Sequence, residues 1–251
     1  MSTTTLPSAI ALRGMFRADG LRLIRDRFLL GMVVYIVGIA IVMRWALPWI
    51  TSGLASRLAF DLTPWYPLLM GHFVVGLAGL PAGIVGGLLL LESREEGTTK
   101  AFLVTPVSLS MYVGVLSFVL FAASMVLILF QGVVIGAALP PWPAFLGAAL
   151  AGAPAAPAFA LFIAAFADDK IAAVAYMKVC AIAVLIPSAS YFLPEPSQWL
   201  AAVYPPYWAA KAYWVGQAGG SGWPLWALGG LLLSTIWVAL LGRMFLKAAR
   251  K

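Results

Sequence analysis

The sequence predicts an all-α polytopic membrane protein with six transmembrane helices, an N-terminal interfacial helix and a short helix in the cytoplasmic loop between spans 2 and 3. Three observations carry that prediction. Of 251 residues, 63% are hydrophobic and only 10% are charged, where a soluble domain carries about a quarter. The apolar residues gather into six runs, each of roughly 20 residues, long enough to cross about 30 Å of hydrocarbon. The basic residues sit in the short polar segments outside these runs, as membrane topology requires. A single domain of this size still needs a polar surface in water, so lipid must replace water around most of it.

In chain order, residues 1–27 form a cytoplasmic or interfacial segment, with five Arg before the first apolar run. No small-residue cleavage site follows, so the segment reads as a retained flank rather than a secretory signal. Leu12, Phe16 and Leu23 share one helical face, with Arg13, Arg17 and Arg25 elsewhere, which suits a helix lying in the interface. Gly20 weakens that helix, and a basic flank that only fixes orientation stays open.

The remainder, residues 28–251, is the six-span domain. Its spans are predicted at Phe28 to Pro48, Pro67 to Leu91, Leu109 to Leu139, Trp142 to Phe166, Ile171 to Leu193 and Pro224 to Leu246. The third is long enough to tilt, and Arg44 in the first can snorkel outward. Gly79, Gly83 and Gly87 in the second span, and Gly152, Pro154 and Pro157 among many Ala in the fourth, read as surfaces for close helix packing.

Charge orients the bundle. With the N-terminus inside, twelve Lys and Arg fall on the cytoplasmic side and three (Arg44, Arg57 and Lys211) on the outer side, while Lys178 lies within a span. Both termini are therefore expected in the cytoplasm, in the inner (plasma) membrane. Trp45, Trp49, Trp65, Tyr66, Trp142, Trp199, Tyr204, Tyr207, Trp208 and Trp223 fall near the outer boundary and read as an aromatic belt. The net charge of +7 belongs to this topology, so a nucleic-acid partner is not expected.

The chemistry is sparse. None of the nine carboxylates lies deep in a span, as an ionisable relay would require. Three polar groups within spans are candidate pathway residues: His72, Gln131 and Lys178. His72 reads chiefly as an interfacial hydrogen-bonder, Gln131 as a bond to another helix, and Lys178 as a partner of Asp168 or Asp169 or a group facing a wet cavity. One cysteine, Cys180, excludes a disulfide framework or a cysteine metal site. No P-loop, zincin helix or Gly-x-Ser-x-Gly elbow occurs, so an enzymatic role is not expected and energy for uphill movement must come from another chain.

The loop after the second span departs from the pattern. Glu92, Arg94, Glu95, Glu96 and Lys100 put three acidic groups on an otherwise basic side. After Gly97 a short helix is expected to start at Thr98 or Thr99 and end before Pro106. It would present Phe102, Leu103 and Val104 to the membrane or to a partner.

With Glu92, Arg94, Glu95, Gly97 and Thr98 followed by Val104, Thr105, Pro106, Val107 and Ser108, this stretch resembles the signature of ABC transporter permeases of the type-2 export class. The motif covers under a tenth of the chain, and the six-span topology extends the resemblance to most of it. The resemblance implies a coupling helix in this loop and a second permease subunit, identical or related. It also implies two separate ATPase subunits, which hold ATP and Mg, with no cofactor in this chain. Coupling would fall to Glu92, Arg94, Glu95, Glu96, Gly97, Thr98, Phe102, Thr105 and Pro106. The mostly apolar spans favour a lipophilic drug, lipid or lipid-linked substrate, moved outward. One departure is Gly114-Val115 where the family commonly has Gly-Lys, so a role for that Lys is unsupported. In the family the segment before the last span often forms short helices dipping into the outer leaflet. The rival class is a non-transporting membrane scaffold, immunity or sensor subunit.

Overall fold

The computed structural model describes residues 27–96 and 108–249. The expected N-terminal interfacial helix and the coupling helix after Gly97 lie outside the described residues. Among those described, every regular element is helical, and six helical stretches are long and apolar enough to cross a membrane. The protein is a multi-pass membrane protein.

Span 1 is α1 (Arg27–Leu58). It continues ten residues past Pro48, where the sequence predicts its end. Span 2 (Thr63–Glu95) opens with a 3-10 turn, then α2 (Tyr66–Met70), a π-helical stretch (Gly71–Gly76) and α3 (Gly79–Glu95). Span 3 is α4 (Leu109–Ile135). It stops four residues before the predicted Leu139 because Gly136 takes a left-handed φ of 68° and returns its N–H to the Gly132 carbonyl. Glycine pays no Cβ penalty in that conformation and so ends helices this way. At the other end Ser108 caps α4, its hydroxyl accepting from the Met111 N–H at 3.2 Å. The Ser of the Thr-Pro-Val-Ser motif thus starts span 3.

Span 4 breaks into α5 (Trp142–Gly152) and α6 (Ala155–Phe166), with Pro154 at the break as an internal proline dictates. Span 5 is α7 (Lys170–Ala183) and α8 (Leu185–Ser190). After a short helix α9 (Glu195–Gln198) comes α10 (Pro205–Gln217), and span 6 is α11 (Trp223–Ala248). Successive spans alternate in direction. One end of the bundle collects Glu92, Arg94, Asp168, Lys170 and Lys247, and the other collects most of the Trp. These are called the basic end and the aromatic end below.

Span 2 is the hub: 78% of its most apolar stretch is buried, against 17% in span 1. Its α3 lies on α6 in the most extensive helix pairing of the bundle. A Cβ on Gly83 would stand 2.6 Å from the Phe159 Cβ and 2.8 Å from the Ala156 carbonyl oxygen, so only glycine permits this approach. Close backbone contact of this kind holds helices together where the surrounding lipid is as apolar as the side chains.

The segment before span 6 turns into the bundle. α10 packs against α5 and α11 and buries Tyr207, Ala209, Ala210, Ala212 and Tyr213. Its start, at Tyr204, lies beside Cys180 and Ser234, near the middles of spans 5 and 6. A helix end at that depth must satisfy its own backbone donors. Pro205 and Pro206 have no N–H, and the Tyr207 N–H donates to the Tyr204 carbonyl at 3.1 Å. The belt predicted from the sequence therefore divides. Trp45, Trp49, Trp142 and Trp199 are exposed as expected. Tyr207 is 1% exposed and Trp208 lies against Gly229 and Gly230, so these two belong to the core.

Candidate functional site

At the basic end, the last turn of α3 is tied to the turn between spans 4 and 5. Arg94 donates from Nη1 to the Ala164 carbonyl at 3.2 Å and from Nη2 to the Ala167 carbonyl. Nη2 also lies 3.8 Å from the Asp168 carboxylate. The guanidinium thus covers the C-terminal carbonyls of α6, where orphan acceptors and the negative end of the helix dipole favour a cation. Two residues back, the Glu92 carboxylate accepts from Lys170 Nζ at 2.8 Å. Asp169 completes the turn, its carboxylate accepting from the Ala172 N–H at 2.7 Å to cap α7.

This geometry redistributes the predicted coupling residues. Glu92 and Arg94 face the span 4–5 turn. Glu95 and Glu96 are exposed. Gly97, Thr98, Phe102, Thr105 and Pro106 lie outside the described residues. The unexpected acidity of the loop has an internal answer in Glu92, which meets Lys170. Sequence reading missed Lys170 as its partner, although Asp168-Asp169-Lys170 is the one charged cluster between spans 4 and 5.

The three predicted pathway residues are not brought together. His72 lies in the π-helical stretch, with Nδ1 2.9 Å from the Ser188 hydroxyl of α8, so it bonds across helices. Gln131 is 1% exposed on α4, and its amide oxygen has no partner among the described residues. Lys178 is exposed on α7. It does not pair with Asp168 or Asp169, which precede α7 and lie about 13 Å of helix rise away from it. Among the described residues no group of three or more His, Cys, Asp or Glu converges as metal ligands.

A second set of contacts lies at the aromatic end. Lys211 of α10, its side chain only 11% exposed, donates to Glu195 and to Gln198, each at 2.8 Å, and stands 5.7 Å from the Trp226 ring. The Lys211 ammonium holds the Glu195 carboxyl below the usual carboxylate range. Arg44 of α1 donates to the Val134 carbonyl at 2.8 Å. It caps the end of span 3 much as Arg94 caps span 4, where the sequence suggested only snorkelling.

A family model described as "Fluoroquinolones export permease protein Rv2686c-like" matches residues 19–242. Among curated proteins, the chain is 29% identical over 210 residues to the Fluoroquinolones export permease proteins Rv2686c and MT2760 of two Mycobacterium tuberculosis strains. The alignment covers 82% of this chain and 81% of each relative. No solved structure matches it.

Proposed function

The chain belongs to the Rv2686c-like family of export permeases, and from that premise we propose that it is the membrane half of an ATP-driven exporter whose motor is a separate ATPase. Two permease subunits, identical or related, assemble with two ATPase subunits at the basic end. ATP and Mg bind on those partner chains. Both termini lie in the cytoplasm and the bundle sits in the inner membrane, in keeping with the loop charges. The substrate is lipophilic. Fluoroquinolones are the first candidates, because the relatives are named for their export.

The observation that carries the mechanism is the double tether of Arg94 and Glu92 to the span 4–5 turn. The loop running from Glu92 to Pro106 meets the ATPase through Glu95, Glu96 and the segment around Phe102. When the ATPases close on ATP they push this loop. Arg94 and Glu92 pass the displacement to Ala167 and Lys170, so spans 4 and 5 move with span 2. The seam at Gly83 is packed too closely to slide, and the breaks at Pro154 and Val184 let the far halves of spans 4 and 5 lag behind. A bundle with two such arrangements alternates between inward-open and outward-open states. Lys178, exposed on span 5, faces the second subunit or the pathway.

The test is co-purification of the chain with its ATPase, followed by ATP-dependent fluoroquinolone uptake into inside-out vesicles. Uptake that needs both chains and ATP supports the reading. A chain that binds no ATPase and moves no compound contradicts it and favours a scaffold or sensor.

A further inference from the structure

Span 5 carries a charge that its surroundings do not answer. Its 21 residues are just enough to cross about 30 Å of hydrocarbon. Lys178 lies about 12 Å of helix rise past the start of α7 at Lys170. The residues that share its face four and seven positions away, Ile171, Val174, Ile182 and Leu185, are apolar and exposed. The opposite face, with Ala173 and Cys180, packs on α3. Lys178 itself has no hydrogen bond or ion pair among the described residues.

A charged side chain directed at hydrocarbon is costly, so ionisable groups inside spans face a partner or a wet cavity. The four-carbon stem of Lys178 leans back toward the basic end but covers only roughly half of that rise. Snorkelling alone therefore leaves the ammonium short of the headgroups. The chain offers no counter-ion at this depth, because all nine carboxylates lie outside the six apolar runs. An identical second subunit offers none either. Copies related by an axis along the membrane normal carry every residue at equal depth, so their acids also sit near the membrane surfaces. Phospholipid phosphates stay at those surfaces too. The counter-anion must arrive on a molecule apolar enough to enter the bilayer.

We propose that Lys178 is the anion subsite of the export pathway, its ammonium pairing with the carboxylate of a lipophilic acid. The apolar body of that acid lies along Ile182 and Leu185, deeper in the bilayer, as an amphipathic molecule in one leaflet does. Charge-assisted hydrogen bonds from the ammonium to the carboxylate are stronger than neutral ones, and each ion answers the charge of the other in a low-dielectric setting. The assignment rests on reading the chain as an exporter of lipophilic compounds, and it narrows that cargo to acids.

The experiment uses the full chain in phosphatidylcholine nanodiscs with two tritiated probes: nalidixic acid (a quinolone carboxylic acid without a basic amine) and its methyl ester. Lys178→Met removes the charge and keeps the stem, while Lys178→Arg keeps the charge. Lys178→Met is expected to weaken nalidixic acid binding roughly 10- to 100-fold, the effect of one charged hydrogen bond, and to leave ester binding unchanged. Lys178→Arg should retain most of the affinity for the acid. The proposal is overturned if wild-type protein binds the acid no better than the ester or than empty nanodiscs. It is equally overturned if Lys178→Met weakens both probes alike, the mark of a structural role. Anionic phospholipid that stays with wild type in native mass spectra and is lost in Lys178→Met, with acid binding unaltered, would assign Lys178 to a lipid phosphate instead. Norfloxacin uptake into inside-out vesicles separates the two readings. Uptake and acid binding both intact in Lys178→Met overturn the anion subsite and keep the exporter. Acid binding that depends on Lys178, without any norfloxacin uptake, keeps the anion site and removes fluoroquinolones as cargo.

Discussion

The two ends of the bundle hold their charges in different ways. At the aromatic end, Lys211 is nearly enclosed, bonded to Glu195 and Gln198 and lying near Trp226, and both bonding partners come from α9, at most sixteen residues away along the chain. At the basic end, Arg94 and Glu92 reach 70 to 78 residues along the chain to the span 4–5 turn, and the Glu92–Lys170 pair is open to solvent. The first arrangement closes a local fold: it fixes the inward-turning helix against span 6. The second joins two separate hairpins of spans through a few bonds, next to the loop proposed to take the motor's push. Both use charge at helix ends, yet only the second is placed to transmit movement.

That contrast predicts different consequences for similar losses. The largest effect is expected from Arg94→Ala, which uncaps α6 and cuts the tether. Coupled transport should fall at least tenfold, with a stability cost of about 2–3 kcal/mol for the charged hydrogen bonds. Denaturation in detergent and transport in proteoliposomes measure the two separately. Lys211→Met should show the opposite balance. Its charged bond to buried Gln198 is worth about 1.5–3 kcal/mol, so the unfolding midpoint drops, while transport per ATP hydrolysed in the surviving protein stays near wild type.

A smaller effect is expected from Glu92→Gln. An exposed ion pair contributes about 0–1 kcal/mol, so stability should hardly change while coupling falls a few-fold. The charge swap Glu92→Lys with Lys170→Glu should restore coupling. If it does not, the pair does not act as a tether.

The smallest effect is on pH dependence. Because Lys211 lowers the Glu195 pKa in the folded protein, its contribution is fully present above the ordinary Glu value of about 4.3 and is lost as pH falls through the lower folded value. The unfolding midpoint should therefore be flat near neutrality and decline in acid. In Lys211→Met the part of that decline due to Glu195 should vanish.

How far the sequence could be read depended on whether the signal was local. Hydropathy found every span, since each needs only its own apolar residues, and the glycines of span 2 announced a close seam. Gly136 was a readable stop, obscured because apolar residues continue to Leu139. Tyr204-Pro205-Pro206-Tyr207-Trp208 marked an unusual segment, but aromatics suit an interface and a core equally well. Only the packing of α10 against α5 and α11 tells the two apart. The direction of Arg94 was not legible at all, because a cation beside a loop looks the same whether it turns outward to a partner or inward to a neighbouring helix end.

The measurement that bears most directly on the tether compares Arg94→Ala with wild type in two assays on one preparation: affinity for the ATPase, and compound transported per ATP hydrolysed in proteoliposomes. A positioning role for Arg94 predicts wild-type affinity with at least a tenfold fall in transport per ATP. Full transport per ATP in the variant, or a loss of ATPase binding that accounts for the whole defect, would contradict it.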